Sequence, residues 1–577
     1  MLRIILEAVR RRKTKHLCTF CSMAACLLMA AFAVSGCAKK ELAKPDKSEF
    51  RELAEIPAPA PMMHAKMAMT QSMAMRMPPI QRQPASPTEF NTESYDRVNE
   101  NAFLEVIKNP LSTFSIDVDT AAYTNVRRFI NDGTLPPPDA VRIEELVNYF
   151  SYDYPQPSKG DPFSFTTELT DSPWKRGNRL LLIGLQGVRI PVDKLPPANL
   201  VFLIDVSGSM DEENKLPLLV KSFKLLVSQL RTQDRVAIVV YAGRAGLVLP
   251  STSGDEKNKI LAALDSLQAG GSTAGGQGIQ LAYQVARENF MKNGNNRVIL
   301  ATDGDFNVGA SSDAEMERLI EEKRKDGVFL SVLGFGMGNY KDSKMQKLAD
   351  RGNGNYAYID TLLEAKKVLI SQFGGTMMTI AKDVKMQVEF NPAKVKAYRL
   401  IGYEKRMLRA EDFADDKKDA GELGSGHTVT ALYEIVPADG VGTGSQELTY
   451  QTTRVKDSAK ASAELATIRF RYKKPQEDTS KELVRKIPAV VAKLDKAGSN
   501  IGFAAAVAEW GMLLRKSEHM GSASYAQVLG LARKAKGADN EGYRAEFIRL
   551  VEMSELLDGK TKATLKTTPA DVQTISK

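Results

Sequence analysis

NLVFLIDVSGSM, residues 199–210, opens with five consecutive apolar side chains, 200–204, that stop at a carboxylate, Asp205. An unbroken apolar run of that length, ended by a polar turn, is the pattern of a strand buried on both faces of a parallel sheet. Two hydroxyls follow at alternate positions, Asp205-x-Ser207-x-Ser209, and Gly208 leaves the loop free to turn its oxygens toward one point. Oxygen donors grouped in this way suit a hard divalent cation.

Outward from this stretch the rhythm is strand, helix, strand. A helix places Leu219, Phe223, Leu226 and Leu230 on one stripe, and residues 235–241 read as a second buried strand. Residues 247–249 read as an edge strand, followed by a helix through Ile260, Leu264 and Leu267. The glycine-rich run 270–276 carries Thr273 and leads into another helix. Residues 298–303, VILATD, form a further buried strand ending in a carboxylate, Asp303. Strands at 328–333 and 356–359, with helices at 343–349 and 362–370, complete an α/β, doubly wound, mostly parallel domain over 197–375.

In such a sheet ligands bind beyond the carboxyl ends of the strands, where the strand order reverses. With the first and fourth main strands as neighbours, Asp205, Ser207, Ser209, Thr273 and Asp303 converge on one cavity. All five offer oxygen, which selects Mg²⁺, with Mn²⁺ or Ca²⁺ as alternatives, over zinc or copper. The three-part pattern resembles the metal-ion-dependent adhesion site of von Willebrand factor type A (VWA) domains. That resemblance implies that the serines, and in some states the threonine, ligate the metal directly, while the aspartates act directly or through water.

The segments STFSIDVDTAAYTNVRRFI (112–130), ATDGDFNVG (301–309) and SNIGFAAAVAEWGMLL (499–514) extend the likeness. They resemble bacterial VWA-domain lipoproteins of the YfbK kind, and the similarity spans most of residues 95–557. It implies an N-terminal module, a VWA domain and a C-terminal domain.

A chain of 577 residues exceeds what one core supports, so further folded units flank the α/β domain. Alternating runs at 163–166, 180–185, 384–390, 429–436 and 468–472 have the period of antiparallel strands with one wet face. They lie on both sides of the α/β domain in sequence, at 161–196 and 376–480. Either one β-sandwich is interrupted by an inserted domain, or two β units flank it. Residues 94–160 read as an α/β module, in which Asp117 and Asp119 are taken as a solvated strand end. Residues 481–577 read as helical throughout, beginning with a stripe of Val484, Ile487, Val491 and Leu494.

The N-terminus has a different chemistry. Six basic residues against Glu7 place +5 of the +9 net charge in residues 1–36, and a small, apolar run covers 17–34. This is the layout of a secretory signal, and Val34-Ser35-Gly36-Cys37 resembles the lipobox of bacterial lipoproteins, which implies lipidation at Cys37. An uncleaved membrane anchor is the alternative. All four cysteines lie at or before position 37, so the folded part has no disulfides. Ala38, by resemblance to enterobacterial lipoproteins, favours the outer membrane. Residues 37–93, rich in Pro, Ala and Met, read as a stalk. Seven methionines around His64 form either a Cu(I)-binding segment or a plain linker.

With the N-terminal cluster set aside, +4 is spread over the remaining residues, and no nucleic-acid partner is expected. No catalytic residue is expected either. The mature chain has three histidines, His64, His427 and His519, the last two read as solvent-exposed, and no free thiol. Residues 270–275 lack the nucleophile elbow, and 334–339 miss the dinucleotide fingerprint at the last position. Three functions are therefore weighed. The first is a tethered module that binds a Glu or Asp carboxylate of a protein partner through its metal, in adhesion or envelope assembly. The second is a structural envelope lipoprotein. The third is a metal-assisted phosphoester hydrolase through Asp205, Asp303 and Asp305.

Overall fold

The computed structural model describes residues 93–158, 160–272, 275–304, 306, 313–338, 340–372, 374–375, 378–418, 420–438 and 455–566. The chain divides into two units, Met1–Ala85 and Ser86–Lys577, and the described residues belong to the second. The signal segment, Cys37 and the methionine-rich stretch lie outside them, as do Thr273 and Asp305.

The central domain is a six-stranded sheet made of β1 (Ala198–Asp205), β2 (Arg235–Tyr241), β3 (Ala245–Ser253), β4 (Asn295–Thr302), β5 (Val328–Gly334) and β6 (Tyr356–Tyr358). Its order is β6-β5-β4-β1-β2-β3, parallel throughout except for the antiparallel edge strand β3. The first and fourth strands are indeed neighbours, with Leu203 opposite Leu300. Both faces of β1 are buried, which is why its sequence does not alternate. Leu200, Phe202 and Ile204 pack with Leu219 and Phe223, while Val201 and Leu203 pack with Ile279 and Tyr283 on the other side. Phe202 stacks on Phe223 with ring centroids 4.3 Å apart, fixing helix α1 (Leu216–Gln229) to the sheet. Each such side chain withdrawn from water contributes about 1.5–3 kcal/mol.

The flanking strands form one sandwich. Its first sheet runs Leu104–Glu105, Val395–Ile401, Thr428–Pro437, Arg179–Gly187, Phe163–Asp171. Its second runs Met407–Leu408, Leu111–Ser115, Thr379–Phe390, Glu464–Lys473, Lys481–Pro488, and Gly421–Gly424 also pairs with Thr379–Phe390. Each sheet mixes strands from before and after the α/β domain, and one core joins them through Leu181, Ile183, Val388, Ile435 and Phe470. The α/β domain is thus an insertion in an antiparallel sandwich.

Residues 94–160 do not stand alone. Their strands complete the sandwich, and their helices, Ala121–Asn131 and Ile143–Asn148, share a core with Ser499–Arg515, Tyr525–Ala535 and Tyr543–Lys566. Two expectations are corrected here. Lys481–Pro488 is a strand rather than the start of a helix: it pairs antiparallel with Glu464–Lys473, and Val484 faces solvent while Ile487 is buried. Pro488 has no N–H to extend a helix. Asp119 is buried instead of solvated. It accepts hydrogen bonds from the Tyr356 backbone N–H at 3.0 Å and from Gln346 at 3.1 Å, and it pairs with Arg406. Burial, with the Asp350 charge nearby, pushes its carboxyl up to about 7.

Among the described residues the longest helix is Tyr543–Lys566, in the helical region. Among the described residues no helix is long and apolar enough to cross a membrane.

Candidate metal centre

The carboxyl end of β1 delivers Asp205 into a fully buried position, and the residue after β4 delivers Asp303, which is 1% exposed. Adjacent parallel strands ending at the same level bring the two carboxylates together. Three donors hold Asp205. The Ser207 N–H reaches Oδ1 at 2.9 Å, while the Tyr241 and Thr302 hydroxyls each reach Oδ2 at 3.0 Å. Burial nevertheless pushes the Asp205 carboxyl up to about 6, with the Asp303 charge adding to the effect against these hydrogen bonds. Crowded carboxylates of this kind are stabilised by a cation.

Ser207 and Ser209 lie with their hydroxyl oxygens 3.1 Å apart. Ser207 is buried, whereas Gly208 and Ser209 are exposed, so the group opens to solvent on the serine side. The glycine-rich loop is fastened beside them. Gly270 N–H donates to the Val206 carbonyl at 2.7 Å, and Gly208 N–H donates to the Gly271 carbonyl at 3.0 Å. Gly271 takes the left-handed φ of +84°, a backbone region glycine enters at little cost. These bonds bring the loop that carries Thr273 to the serine loop.

Asp205, Ser207, Ser209 and Asp303 are therefore assembled at one place. No three His, Cys, Asp or Glu side chains gather as a metal site among the described residues. The candidate set has only two carboxylates, and its other donors are hydroxyls. Two buried carboxylates with hydroxyl neighbours fit a hard divalent cation in charge and donor type.

Three contributors were not legible in the sequence. Tyr241 and Thr302 orient Asp205; Thr302 stands directly before Asp303, a position where a hydroxyl could have been noticed. Lys215 is the third. Its ammonium donates to the Ser209 carbonyl at 2.9 Å and to Glu212 at 3.0 Å, and lies 3.5 Å from Asp303 Oδ2. Gly336, with φ of +75°, leaves the room it needs, since a Cβ there would come within 2.5 Å of the Lys215 side chain. The glycine run that misses the dinucleotide pattern thus makes space for a lysine.

The two described histidines are less open to solvent than their sequence setting implies. The ring of His427, read as exposed, is lowered in pKa by burial, and half-buried His519 packs edge-on against Phe103 at 5.6 Å.

The family matches divide the chain along the same lines. Residues 199–372 match the family described as von Willebrand factor type A domain, and 89–182 match one described as von Willebrand factor. Residues 375–557 match the family described as Uncharacterized protein YfbK, C-terminal. Uncharacterized protein YfbK of Escherichia coli (strain K12) is 46% identical over 471 residues, covering 80% of this chain and 81% of its own. Uncharacterized protein sll0103 of Synechocystis is 29% identical over 175 residues, 30% of this chain and 40% of that protein. Among solved structures, a von Willebrand factor type A protein from Catenulispora acidiphila is 15% identical, with a TM-score of 0.39 over 67% of this chain and 89% of its own.

Proposed function

The chain belongs to the family of the uncharacterized protein YfbK and contains a VWA domain, and on that premise we propose that it is a membrane-tethered binding protein that captures an acidic protein ligand through a divalent metal. The observation that carries the reading is the meeting of buried Asp205 and Asp303 beneath the exposed Ser209. A closed structural site would have its donors covered; here the hydroxyl side faces water.

Asp205, Ser207, Ser209 and Asp303, with Thr273 from the adjoining loop, would hold the cation, for which Mg²⁺ is the first choice. When bound, the ion supplies an electrophilic centre for an incoming Glu or Asp carboxylate. The chain's own part is to hold the oxygens ready. Tyr241 and Thr302 fix the Asp205 carboxylate, and the bonds from Gly270 and Gly208 fix the two loops against each other.

The tether belongs to the same proposal. Cys37, following the signal-like residues 1–36, would carry the lipid, and residues 38–93 would hold the folded part away from the outer membrane, within the cell envelope.

The test is capture from envelope extract with Mg²⁺ and with EDTA, using the full chain and its Asp205→Ala variant. A partner retained only by the unaltered chain with Mg²⁺ supports the reading. Capture that persists unchanged in EDTA and in the variant overturns it.

A further inference from the structure

At the amino ends of β4, β5 and β6, the opposite end of the sheet from the metal centre, the VWA domain meets the sandwich across a cavity of about 290 Å³. Arg297, the third residue of β4, lines it and is 3% exposed. Its Nη1 donates to Ser331 Oγ at 2.7 Å, and the guanidinium lies 5.5 Å from the Phe329 ring centroid. Among the described residues Nε has no hydrogen-bond acceptor, and the one carboxylate whose charge acts on this arginine, Glu422, makes no ion pair with it.

The other cations of the cavity wall are matched. Arg406 is held by Asp117, Asp119 and Asp350. Lys347 and Arg351 pair with Glu317, and Lys405 with Asp96. Glu422, the carboxylate whose charge acts on Arg297, accepts from Asn353 Nδ2 at 3.3 Å. Burial lowers Arg297 to about 10, which leaves it charged at neutral pH. A buried guanidinium that no carboxylate touches is costly, and an anion that reaches it recovers much of that cost.

We propose that this cavity binds a small oxyanion, a carboxylate or phosphate group, at the guanidinium of Arg297. The planar guanidinium offers such a group a bidentate edge, and the volume is at the small end of ligand pockets, which run from roughly 300 Å³ upward. The wall also carries His427, kept neutral by burial, and Asn355, both able to donate a hydrogen bond. Exposed Lys347 and Met407 stand in the same wall, giving the ligand a way in from solvent. The site is independent of the metal centre: Arg297 and Asp303 are six positions apart along β4 and the residue that follows it, roughly 20 Å of extended chain.

The test is calorimetry and thermal melting of the full chain in detergent, stripped of metal over a chelating resin, with chloride as the ionic-strength control. Inorganic phosphate and succinate are the two probes, and the one that binds identifies the source of the oxyanion. The expected result is saturable binding of at least one probe below about 10 mM, weakened about tenfold or more in Arg297→Met. Glu422→Gln keeps Arg297 in place and removes the nearest competing charge, so it tightens binding several-fold, which keeps the proposal open to refutation if Arg297→Met does not fold. No response to either probe beyond that to chloride, or equal responses in all three proteins, overturns it. Because the protein is free of metal, failure here leaves the metal reading untouched, and failure of that reading leaves this one standing.

Discussion

The Lys215 ammonium stands 3.5 Å from the Asp303 carboxylate, with only 5% of the lysine side chain exposed. A fixed positive charge therefore sits beside the oxygens that would receive a divalent ion. Replacing it with an apolar side chain of similar length removes a repulsion from the incoming cation. Lys215→Met is expected to strengthen Mg²⁺ or Mn²⁺ binding about tenfold by calorimetry. Affinity equal to or below that of the unaltered chain would show that the lysine supports the loop more than it opposes the ion.

Tyr241 donates to Asp205 Oδ2 at 3.0 Å from the neighbouring strand, and its ring lies edge-on to Phe306 at 5.3 Å. Tyr241→Phe keeps the ring packing and deletes the donor. The expected loss is about 1–2 kcal/mol of stability in thermal melts without metal, with cation binding retained but weakened. An unchanged melting temperature would mean that the hydroxyl does not hold the carboxylate.

Glu509 is fully buried in the helical core and receives a hydrogen bond from the Ser524 N–H at 3.1 Å. Burial pushes its carboxyl up to about 7. Its folded pKa exceeds the unfolded one, so the folded chain keeps a proton there that the unfolded chain releases. The resulting stability is complete below about pH 4 and is lost as the pH rises through 7. Glu509→Gln is expected to leave stability unchanged near pH 4 and to raise it by about 2 kcal/mol at pH 8. Urea melts of both proteins at the two pH values test this, and parallel pH profiles would contradict it.

Arg127 is buried and joins three parts of the fold. It donates to Asp360 at 2.5 and 2.7 Å and to Glu364 at 2.8 Å, both at the end of the VWA domain, and to Glu546 of the last helix at 2.9 Å. Removing it strands two buried carboxylates. Arg127→Met is expected to cost about 3–5 kcal/mol, read as a lowered melting temperature. A loss under about 1 kcal/mol would show that the carboxylates find other partners or protonate without penalty.

What could be read from the chain follows from how local each signal is. β1 and β4 announce themselves because a strand buried on both faces must be apolar along its whole length, and both runs end at aspartates. Asp205, Ser207 and Ser209 sit within five residues, so their grouping needs no knowledge of the fold. Lys215 and Arg297 carry no such signal: their neighbours, Asp303 and the sandwich wall, are set by tertiary packing. Lys481–Pro488 misled because Val484 and Ile487 share helical spacing, while its partner strand Glu464–Lys473 decides its conformation. Asp119 misled because the residues that cover it, Gln346, Tyr356 and Arg406, come more than two hundred positions later.

The interleaved sandwich gives the molecule tolerance to a broken backbone. Leu111–Ser115 pairs with Thr379–Phe390, and Arg179–Gly187 pairs with Thr428–Pro437. A protease cut in an exposed loop of the inserted domain would therefore yield two fragments that stay zipped together, travelling as one particle until a denaturant separates them. The same topology makes the loops of that domain natural places to split the protein into halves that reassemble.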